Sequence, residues 1–485
     1  MYLYFYEKEL LSLNFKKLLC ILLALFAVIT MVACGDKDEK ENESWEMGEA
    51  DMSFLDHIEI EDMDGYNFRI LTRKGKAMMN DQYVEEETGD IINDAVYRRN
   101  ETVKALFNID ITAIESSSDT GDDALNTILA GDDQYDVIFP HSRKAFQYAI
   151  QDTLVNFHDV KTIDMTKEWW VKDIIDSCSV NGHLYVLDGD IQTHGLTYAF
   201  AMYFNKRIFD ELGLDYPYAS ALDGTWTFDE FSKLVKQGTK DLNGDGLIKV
   251  EDDQYGYFTR EWFGPIQVLY SGSQRIYSKN SRGLPTLSIN SAKTVEIYSK
   301  FFQLANSEDV FMQLTPQRPA PEDLFTAGRA MFADGDLGGA KTMRSMNDEF
   351  GILPWPKFSI DDEYQTVVNG HASLLIMPIT VEDYDRSGKI IEALCAVGNR
   401  DVIPAFYDVS LKTKFSRDAE SEEMIDIIKN SIIYDLGYSS GGAFDSTGAH
   451  LAAKSNPDFA AFYAANESKA LTDLKNFLSA YGKVK

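Results

Sequence analysis

The chain has 485 residues, of which 45% are hydrophobic and 26% are charged, so it can bury the cores of two or three domains. Lysine and arginine total 46 against 78 aspartates and glutamates, which gives a formal net charge of −32 at pH 7. A surface this acidic repels phosphate backbones and anionic lipid headgroups, which argues against nucleic-acid binding. Only one continuous apolar stretch, near the N-terminus, approaches the length of a membrane span, which excludes a multi-span membrane protein.

The first 33 residues have the pattern of an export signal. Lys16 and Lys17 precede an uncharged apolar stretch, 18–32, that is shorter than the roughly 20 residues of a spanning helix. Residues 31–34 (MVAC) then resemble the lipobox of bacterial lipoproteins, which implies cleavage before Cys34 and acylation of its sulfur; an uncleaved signal anchor is the alternative. Because two or three acyl chains anchor a protein durably, we expect the mature chain on the outer face of the cell membrane.

An acidic segment and two cysteines follow from the same processing. Residues 34–57 lack hydrophobic periodicity and predict a flexible tether. Cys178 and Cys395 are the cysteines that remain besides the lipid site. A disulfide between them can form outside the cell, but isolated cysteines are more often small buried side chains. No CxxC motif or Cys/His cluster predicts a zinc site.

The rest of the chain alternates strand and helix patterns. A strand at 67–72, a helix at 90–107, a strand at 109–114, a helix at 124–129 and a buried strand at 135–139 follow one another. This order predicts a mostly parallel sheet covered by helices. The further predicted elements are an extended stretch at 195–205, helices at 206–212 and 226–240, a strand at 255–258, a helix at 322–329, a strand at 330–333 broken by Gly335, an extended stretch at 365–377 and a mainly helical tail from 420.

Three polar residues directly follow the strand at 135–139. Ligands of parallel sheets bind beyond the carboxyl ends of the strands. The loop of His141, Ser142 and Arg143 is therefore a candidate for ligand contacts, although polar residues in loops are most often only solvated.

Several blocks of sequence, taken in order, resemble family 1 extracellular solute-binding proteins, the lipoprotein receptors of bacterial ABC importers. The block at 203–213 (YFNKRIFDELG) is similar to the family's hinge-to-helix signature YYNKDLFDELGL. The matches run in family order from about residue 66 to 378, whereas the last hundred residues lack sharp landmarks. The other matching blocks are 130–138 (AGDDQYDVI), 154–157 (LVNF), 225–230 (TWTFDE), 325–331 (FTAGRAM) and 351–356 (GILPWP).

The resemblance implies an α/β fold of the type II periplasmic-binding-protein kind. Two lobes, each a mostly parallel sheet flanked by helices, would be joined by a hinge and hold the ligand in the cleft between them. The chain would cross between lobes near 198–203 and 365–371. The expected boundaries are 58–200 with about 370–415 for lobe 1, and 201–369 with about 416–485 for lobe 2.

The same resemblance implies a non-catalytic, monomeric receptor that captures a carbohydrate, in particular an oligosaccharide, and delivers it to ABC permease subunits. Sugar rings have apolar faces, and stacking one on an aromatic ring buries on the order of 100 Å², which contributes roughly 2–3 kcal/mol. Trp262 and Phe263 lie where the family places its cleft aromatics, with ordinary core packing as the alternative. His141, Ser142, Arg143 and Asp336 match positions where relatives contact sugar hydroxyls. Trp169 and Trp170 are expected in the core, with a place in the cleft as the alternative, and Trp226 is expected to be structural.

The segment 241–252 follows the EF-hand loop pattern D-x-N-x-D-G. Side-chain oxygens of Asp241, Asn243 and Asp245, the carbonyl of Leu247 and the carboxylate of Asp252 occupy the ligand positions, and glycine supplies the turn at position 6. Hard oxygen donors at this spacing suit Ca²⁺, which would have a structural role. A solvated Asp/Gly-rich turn is the alternative.

Two other functions are compatible with the sequence. Residues 437–441 (GYSSG) fit the G-x-S-x-G motif of serine hydrolases, with Ser439 as nucleophile and Asp445 and His450 close behind. That motif requires a strand before the serine and a helix after it, whereas a helix is predicted before Ser439. A receptor for peptides or polyamines is the remaining alternative, and its cleft would be rich in aspartate and glutamate.

Overall fold

The computed structural model describes residues 52–314, 321–343, 346–411 and 419–482. The chain divides into two units, 1–56 and 57–485. The described end of the first unit contains a 3-10 turn, Ser53–Leu55. The export signal, Cys34 and most of the proposed tether lie outside the described residues. Of the helices that the structure does describe, none combines the length and the apolar character that a bilayer crossing needs.

A first sheet in the second unit contains β1 (Tyr66–Thr72), β2 (Ile109–Glu115) and β3 (Val137–Ile138). β1 lies in the middle and pairs in parallel with both neighbours, as the β-α-β-α-β pattern predicts. A later segment extends this sheet, because Ile376 forms an antiparallel bridge with Ile138 and Leu375 forms another with Leu187.

A second sheet consists of β4 (Phe200–Asn205), β5 (Tyr255–Arg260), β8 (Val310–Gln313), β9 (Ala330–Asp336) and β10 (Phe350–Leu353). Between β5 and β8, the chain forms a separate antiparallel pair, β6 (Tyr277–Lys279) and β7 (Pro285–Leu287). The strand order of the second sheet is β10-β4-β9-β5-β8. β5 is parallel to β8 and β9, whereas β4 is antiparallel to both of its neighbours. This sheet is therefore mixed rather than mostly parallel, because the chain enters it at β4 from the opposite direction.

Helices flank both sheets, and most of the predicted helices begin and end within a few residues of the expected positions. The α-helices that the structure describes are Lys76–Met79, Ile91–Phe107, Ala124–Ala130, Ser142–Ile150, Lys172–Cys178, His194–Thr197, Lys206–Leu212, Tyr218–Asp223, Phe228–Gly238, Gly264–Ser271, Ala292–Ala305, Pro321–Thr326, Ala340–Met343, Tyr384–Leu411, Ala419–Asn430, Leu436–Ser439, Thr447–Ala452 and Phe459–Tyr481. Two 3-10 turns in the second unit are Phe157–Asp159 and Leu337–Gly339.

Three expected elements differ from the observed ones. The stretch 195–205 is extended only from Phe200, because its first residues belong to the helical turn His194–Thr197. Within this turn, Gly195 packs so closely on Asp188 that a side chain there would collide with the carboxylate. β9 does not break at Gly335 but runs through it to Asp336. Of the stretch 365–377, only Thr366–Val367 (β11) is a regular strand, and the remainder pairs through single bridges.

Three chain segments lie side by side between the two sheets. Ala199 forms an antiparallel bridge with Val368, and the Asn369 N–H donates to the Tyr198 carbonyl at 2.8 Å. β11 also pairs in parallel with β12 (Ile432–Ile433). The two expected crossovers are therefore neighbours, and a third segment, which the sequence does not reveal, lies against them.

Tyr434 and Asp435, which directly follow β12, are bonded to both sides of this junction. The Tyr434 hydroxyl donates to Asp188 Oδ2 at 2.6 Å, next to the segment that extends the first sheet. The Asp435 carboxylate accepts the Ile276 N–H at 2.5 Å, beside β6, and the Gly437 N–H at 2.8 Å. Burial raises the pKa of Asp435, and it raises the pKa of Asp188 to about 6. One dipeptide therefore fastens both halves of the protein.

The last helix, Phe459–Tyr481, also contacts both halves. Near its start, Phe459 stacks on Tyr298 of the helix Ala292–Ala305, with ring centroids 5.4 Å apart. At its end, Tyr481 meets Tyr185 edge-on at 4.9 Å, close to the first sheet. The final helix therefore connects the two halves independently of the crossovers.

Cys178 and Cys395 are both free and both completely buried. Burial raises the pKa of each thiol above its ordinary value. They are small buried side chains, the more frequent of the two outcomes that the sequence allows.

Glu392 is a buried carboxyl on the long helix Tyr384–Leu411. It accepts the indole N–H of Trp169 at 3.1 Å and that of Trp170 at 3.0 Å, and it lies 3.0 Å from His57 Nε2. Burial outweighs these bonds and raises the pKa of Glu392 to about 7. Trp169 and Trp170 are thus core residues that hold this helix, as expected.

Glu392 predicts a pH dependence of stability. Its pKa is about 7 in the folded protein and ordinarily 4.5, so between these values the folded state holds a proton that the unfolded chain has released. The free energy of unfolding should therefore fall as the pH rises through this window, and Asp188 contributes in the same direction. Glu392→Gln should flatten the fall, because the amide does not titrate. Urea denaturation at several pH values measures the slope.

The control for this prediction is Glu423→Gln, on the exposed face of the helix Ala419–Asn430. It should leave the pH slope of the wild type unchanged. Glu392→Gln should lower stability at every pH, because the two indoles donate to different oxygens of Glu392 and glutamine replaces one of them by an NH2 group, so the slope is the informative quantity. A slope equal to that of the wild type would contradict the raised pKa of Glu392.

Candidate functional site

The loop after β3 lies at the carboxyl edge of the first sheet. His141 caps the helix Ser142–Ile150, and its Nδ1 accepts the Arg143 N–H at 3.3 Å. Ser142 is 3% exposed, and its hydroxyl donates to the Gly370 carbonyl at 2.9 Å. His141 and Arg143 therefore present side chains at this edge, whereas Ser142 holds the loop against the crossover segment.

The crossover segment 369–371 brings the other predicted polar residue to the same place. The Asn369 side-chain amide donates to Asp336 Oδ1 at 3.2 Å, at the end of β9. The His371 ring meets the His141 ring edge-on, with centroids 5.4 Å apart. Residues predicted from two distant parts of the sequence thus meet at the junction between the sheets.

A segment near the C-terminus closes this site. Arg143 Nη2 forms an ion pair with Asp445 Oδ2 at 2.6 Å. Gly441 lies against the same arginine in the left-handed region, at φ +76°, and a Cβ there would lie 3.1 Å from Arg143 Cδ. The Tyr438 hydroxyl accepts the Gly370 N–H at 3.2 Å. The tail that lacks family landmarks therefore contributes directly to the site.

The two predicted cleft aromatics have different environments. Trp262 is 44% exposed in the loop between β5 and the helix Gly264–Ser271, whereas Phe263 is 7% exposed. The Phe263 ring packs edge-on against Phe200 at 5.0 Å, and Phe200 is the strand partner of Asp336. Phe263 is therefore a core residue behind the site, and Trp262 presents an accessible indole. Trp226 is completely buried and donates to the Pro354 carbonyl at 3.0 Å, as expected of a core residue.

Sequence reasoning missed several residues of the site. Arg73 follows β1 just as His141 follows β3, so the strand-end rule could have found it. No comparable signal marks His371, because it lies in an extended crossover rather than after a regular strand. The missed residues are Arg73, Tyr198, Asn369, His371, Tyr438 and Asp445.

Positive charge and burial act together on the two histidines. Burial, Arg73, His371 and Arg143 lower the pKa of His141 to about 3. Burial, Arg73 and Arg143 also lower the pKa of His371. Both imidazoles are therefore neutral at pH 7, and each donates one N–H and accepts one bond.

A cavity of about 1010 Å³ lies elsewhere, and none of the predicted ligand residues line it. Several polar groups in its wall are already bonded within the protein. Asp173 holds Arg275 through two oxygens, at 2.8 and 3.0 Å, and Asp188 accepts from Tyr434. The predicted ligand residues therefore lie outside this cavity, around the crossover segment 369–371.

The EF-hand-like loop has the turns that its sequence predicts. Asp241 accepts the N–H groups of Gly244 and Gly246 at 2.6 and 2.8 Å, and Asp245 accepts that of Leu247 at 2.9 Å. Lys249 Nζ lies 2.6 Å from the other oxygen of Asp245.

The end of this loop bears on the predicted metal ligands. Asp253, rather than the predicted Asp252, turns its carboxylate toward the loop and accepts the N–H groups of Leu242 and Lys249. The Asn243 side chain accepts the Asp245 N–H at 2.8 Å. Within the part of the chain that the structure covers, no three His, Cys, Asp or Glu side chains are grouped closely enough to hold a metal ion.

Ser439 does not have the geometry of a hydrolase nucleophile. It is 3% exposed and is the last residue of the short helix Leu436–Ser439 rather than the tip of a strand-to-helix turn. Asp445 is paired with Arg143, and the His450 ring packs against Phe462 with centroids 5.5 Å apart. The supposed triad is therefore a chance motif in a glycine-rich segment.

Sequence comparison finds no matching family model and no matching curated protein. Structure comparison finds an ABC substrate-binding protein of Listeria monocytogenes in complex with cycloalternan, with 15% identity, a TM-score of 0.50, and 87% of this chain and 99% of that chain covered. It also finds a cyclo/maltodextrin-binding protein in complex with maltotetraose, with 11% identity and a TM-score of 0.56, and 87% of this chain and 99% of that chain are covered. A third similar structure is UgpB of Mycobacterium tuberculosis in complex with glycerophosphocholine, with 14% identity and a TM-score of 0.52, and 86% of this chain and 99% of that chain are covered.

These similarities establish the fold. The chain has the two-lobed periplasmic-binding-protein fold of bacterial ABC substrate-binding proteins, as the ordered sequence blocks led us to expect. The first sheet belongs to one lobe and the second sheet to the other, and the paired crossovers lie between them. The exact lobe boundaries remain predictions.

Gly441→Ala tests the packing at Arg143. The substitution should destabilise the protein by about 1–3 kcal/mol, because alanine is strained at positive φ and its Cβ meets the Arg143 side chain. Gly370→Ala is the control, since a Cβ there has no neighbour closer than 3.9 Å and the backbone φ is not positive. Chemical denaturation measures both, and equal stabilities would contradict the packing described.

Proposed function

We propose that this protein is the receptor component of a bacterial ABC importer and that it binds a carbohydrate, in particular an oligosaccharide, between its lobes without altering it. The observation that carries the proposal is the convergence of His141, Arg143, Asp336 and His371 at the junction of a two-lobed receptor fold. Hydrogen-bonding side chains at such a junction suit a ligand rich in hydroxyl groups.

The ligands of similar proteins support a carbohydrate over other solutes. Cycloalternan and maltotetraose are oligosaccharides, and they are bound by two of the proteins that share this fold. UgpB, with glycerophosphocholine, shows that the same fold also accepts a different solute. The exposed Trp262 favours a sugar, because an indole face stacks on the apolar face of a pyranose.

The other functions have less support. A serine hydrolase lacks support because Ser439, Asp445 and His450 are separately engaged. A receptor for polyamines or peptides needs carboxylates that are free to bind amines, whereas Asp445 is paired with Arg143 and Asp336 accepts from Asn369.

The proposed address follows from the lipobox at 31–34. Cys34 would carry the lipid, and the acidic segment after it would let the receptor stand off the outer face of the membrane. A monomer that docks on permease subunits suits this arrangement, because lobe closure around the ligand then signals that the receptor is loaded.

The proposal predicts ligand binding with closure and without turnover. A thermal-shift screen of oligosaccharides, peptides and polyamines should give stabilisation by oligosaccharides, and the radius of gyration from small-angle X-ray scattering should fall with the same ligand. Trp262→Ala should weaken binding by about tenfold or more, because it removes roughly 2–3 kcal/mol of stacking.

Trp45→Ala, outside the described residues, is the matched tryptophan control and should bind like the wild type. Hydrolysis of the glycan or of an ester by the purified protein would overturn the receptor assignment. Stabilisation by peptides or polyamines alone would replace the carbohydrate by another solute.

We also propose that the loop 241–252 binds a structural Ca²⁺. Its ligand atoms are the hard oxygens that calcium prefers. Hydrogen bonds from backbone N–H groups to the side chains of Asp241, Asn243 and Asp245 already hold the loop in a turn. Binding requires Lys249 to release Asp245. Calcium would pin the junction between the helix Phe228–Gly238 and β5.

Calcium should raise the melting temperature of metal-stripped protein, and isothermal titration should detect binding at submillimolar concentration. Asp241→Asn should abolish both effects, whereas Asp215→Asn, an exposed aspartate outside the loop, should leave them unchanged. Comparing Asp252→Asn with Asp253→Asn identifies the last ligand. Wild-type protein without submillimolar binding would disprove the calcium site.

A further inference from the structure

Gly370 has no side chain, and this leaves a space for a small group among three neighbouring side chains. A Cβ at this glycine would lie 4.0 Å from both Arg143 Nε and His141 Cε1, and 3.9 Å from the Tyr438 hydroxyl oxygen. These three side chains come from the strand-end loop and from the C-terminal segment, so the space is bounded by polar groups from two separate parts of the chain. Gly370 leaves it unfilled.

The groups around this space have hydrogens to donate. Arg143 Nε is buried and has no hydrogen-bond acceptor in the described part of the chain. Tyr438 already accepts the Gly370 N–H, which leaves its own O–H to donate. His141 Nδ1 accepts the Arg143 N–H, so the neutral ring carries its hydrogen on Nε2. The space is therefore rich in donors.

Arg73 places a guanidinium next to His371, the residue that follows Gly370. Arg73 Nη1 donates to the His371 carbonyl at 2.5 Å and Nε donates to the Asp119 carbonyl at 2.6 Å. Arg73 is 7% exposed, yet within the described ranges it has no carboxylate ion-pair partner and its Nη2 has no acceptor. Arg99, which is completely buried, differs because all three of its guanidinium nitrogens are bonded.

A surplus of donors selects a particular kind of ligand group. A sugar hydroxyl brings a hydrogen of its own, whereas a carboxylate or sulfate brings only acceptor oxygens and a negative charge. We infer that the carbohydrate bound by this receptor carries an anionic substituent, a carboxylate or a sulfate, that binds over Gly370 between Arg73, Arg143, His141 and Tyr438. This inference rests on the proposed carbohydrate function.

The strongly acidic surface does not exclude an anionic ligand. Charges beyond about 8 Å are largely screened at physiological ionic strength, so groups that touch the ligand decide its binding. Of the nearby carboxylates, Asp445 is paired with Arg143 and Asp122 with Lys144 at 3.0 Å. Asp336 accepts from Asn369, which leaves Asp119 near Arg73 without an ion pair to it. The charge of Arg73 is thus available to a ligand.

The test compares acidic and neutral glycans of the same kind. Oligosaccharides from partial hydrolysis of plant and animal polysaccharides are separated by anion exchange into neutral, uronic-acid and sulfated fractions. Each fraction is then added to the full chain in a thermal-shift assay, and the active component is titrated by calorimetry. We expect stabilisation by an acidic fraction, and the fraction that acts distinguishes a carboxylate from a sulfate.

Variants locate the binding to this space. Arg73→Met and Gly370→Ala should each weaken binding of the acidic glycan by about tenfold or more, the first by removing a charged hydrogen bond and the second by filling the space. Lys74→Met removes the same charge from an exposed neighbour and should bind within about twofold of the wild type. Circular dichroism of each variant verifies folding. If Arg73→Met fails to fold, Gly370→Ala still tests the inference, because it removes no charged group.

The outcomes separate this inference from the proposed function. Stabilisation by the neutral fraction alone overturns the anionic substituent and leaves the carbohydrate receptor intact. Stabilisation by no glycan fraction overturns both. Binding of an acidic glycan that neither Arg73→Met nor Gly370→Ala weakens would show that the anionic group lies elsewhere, which also overturns the inference.

Discussion

The structure depends on the pairing of three extended segments between its two sheets. Ala199 pairs with Val368, and β11 pairs with β12, so the three segments lie side by side. Tyr434 and Asp435 then tie the third segment to Asp188 on one side and to Ile276 on the other. These backbone and side-chain bonds hold the three segments together between the sheets.

The same junction determines the chemistry of the site. The strand-end loops of the first sheet supply Arg73, His141 and Arg143, whereas the second sheet supplies Asp336 at the end of β9. Donors therefore lie mainly on one side of the crossover and an acceptor on the other. Under the proposed function, a ligand that bonds to both sides would bridge the two sheets, and its binding would be coupled to closure. The net charge of −32 has little influence on this local arrangement.

Much of this architecture could be predicted from the sequence, because its signals are local. The periodicity of 91–107 and the signature at 203–213 place helices and strands, and the strand-end rule finds His141 and Arg143. Long-range contacts could not be predicted. Nothing in the tail indicates that Asp445 pairs with Arg143, or that β12 lies beside β11. Phe263 was expected in the cleft and proves to be core, because an aromatic residue after a strand carries the same pattern in either role.

The final helix has a mechanical consequence. Phe459 is fixed to Tyr298 in one lobe and Tyr481 to Tyr185 near the other, and a helix of 23 residues is stiff along its length. A helix attached at both ends would have to break one of these aromatic contacts if the two sheets moved far apart. The same helix also packs on the helix Ser142–Ile150, where Phe477 lies against Phe146 with ring centroids 6.3 Å apart. Truncation before Phe477 would therefore remove an attachment between the two sheets and, with it, support for the element that carries Arg143.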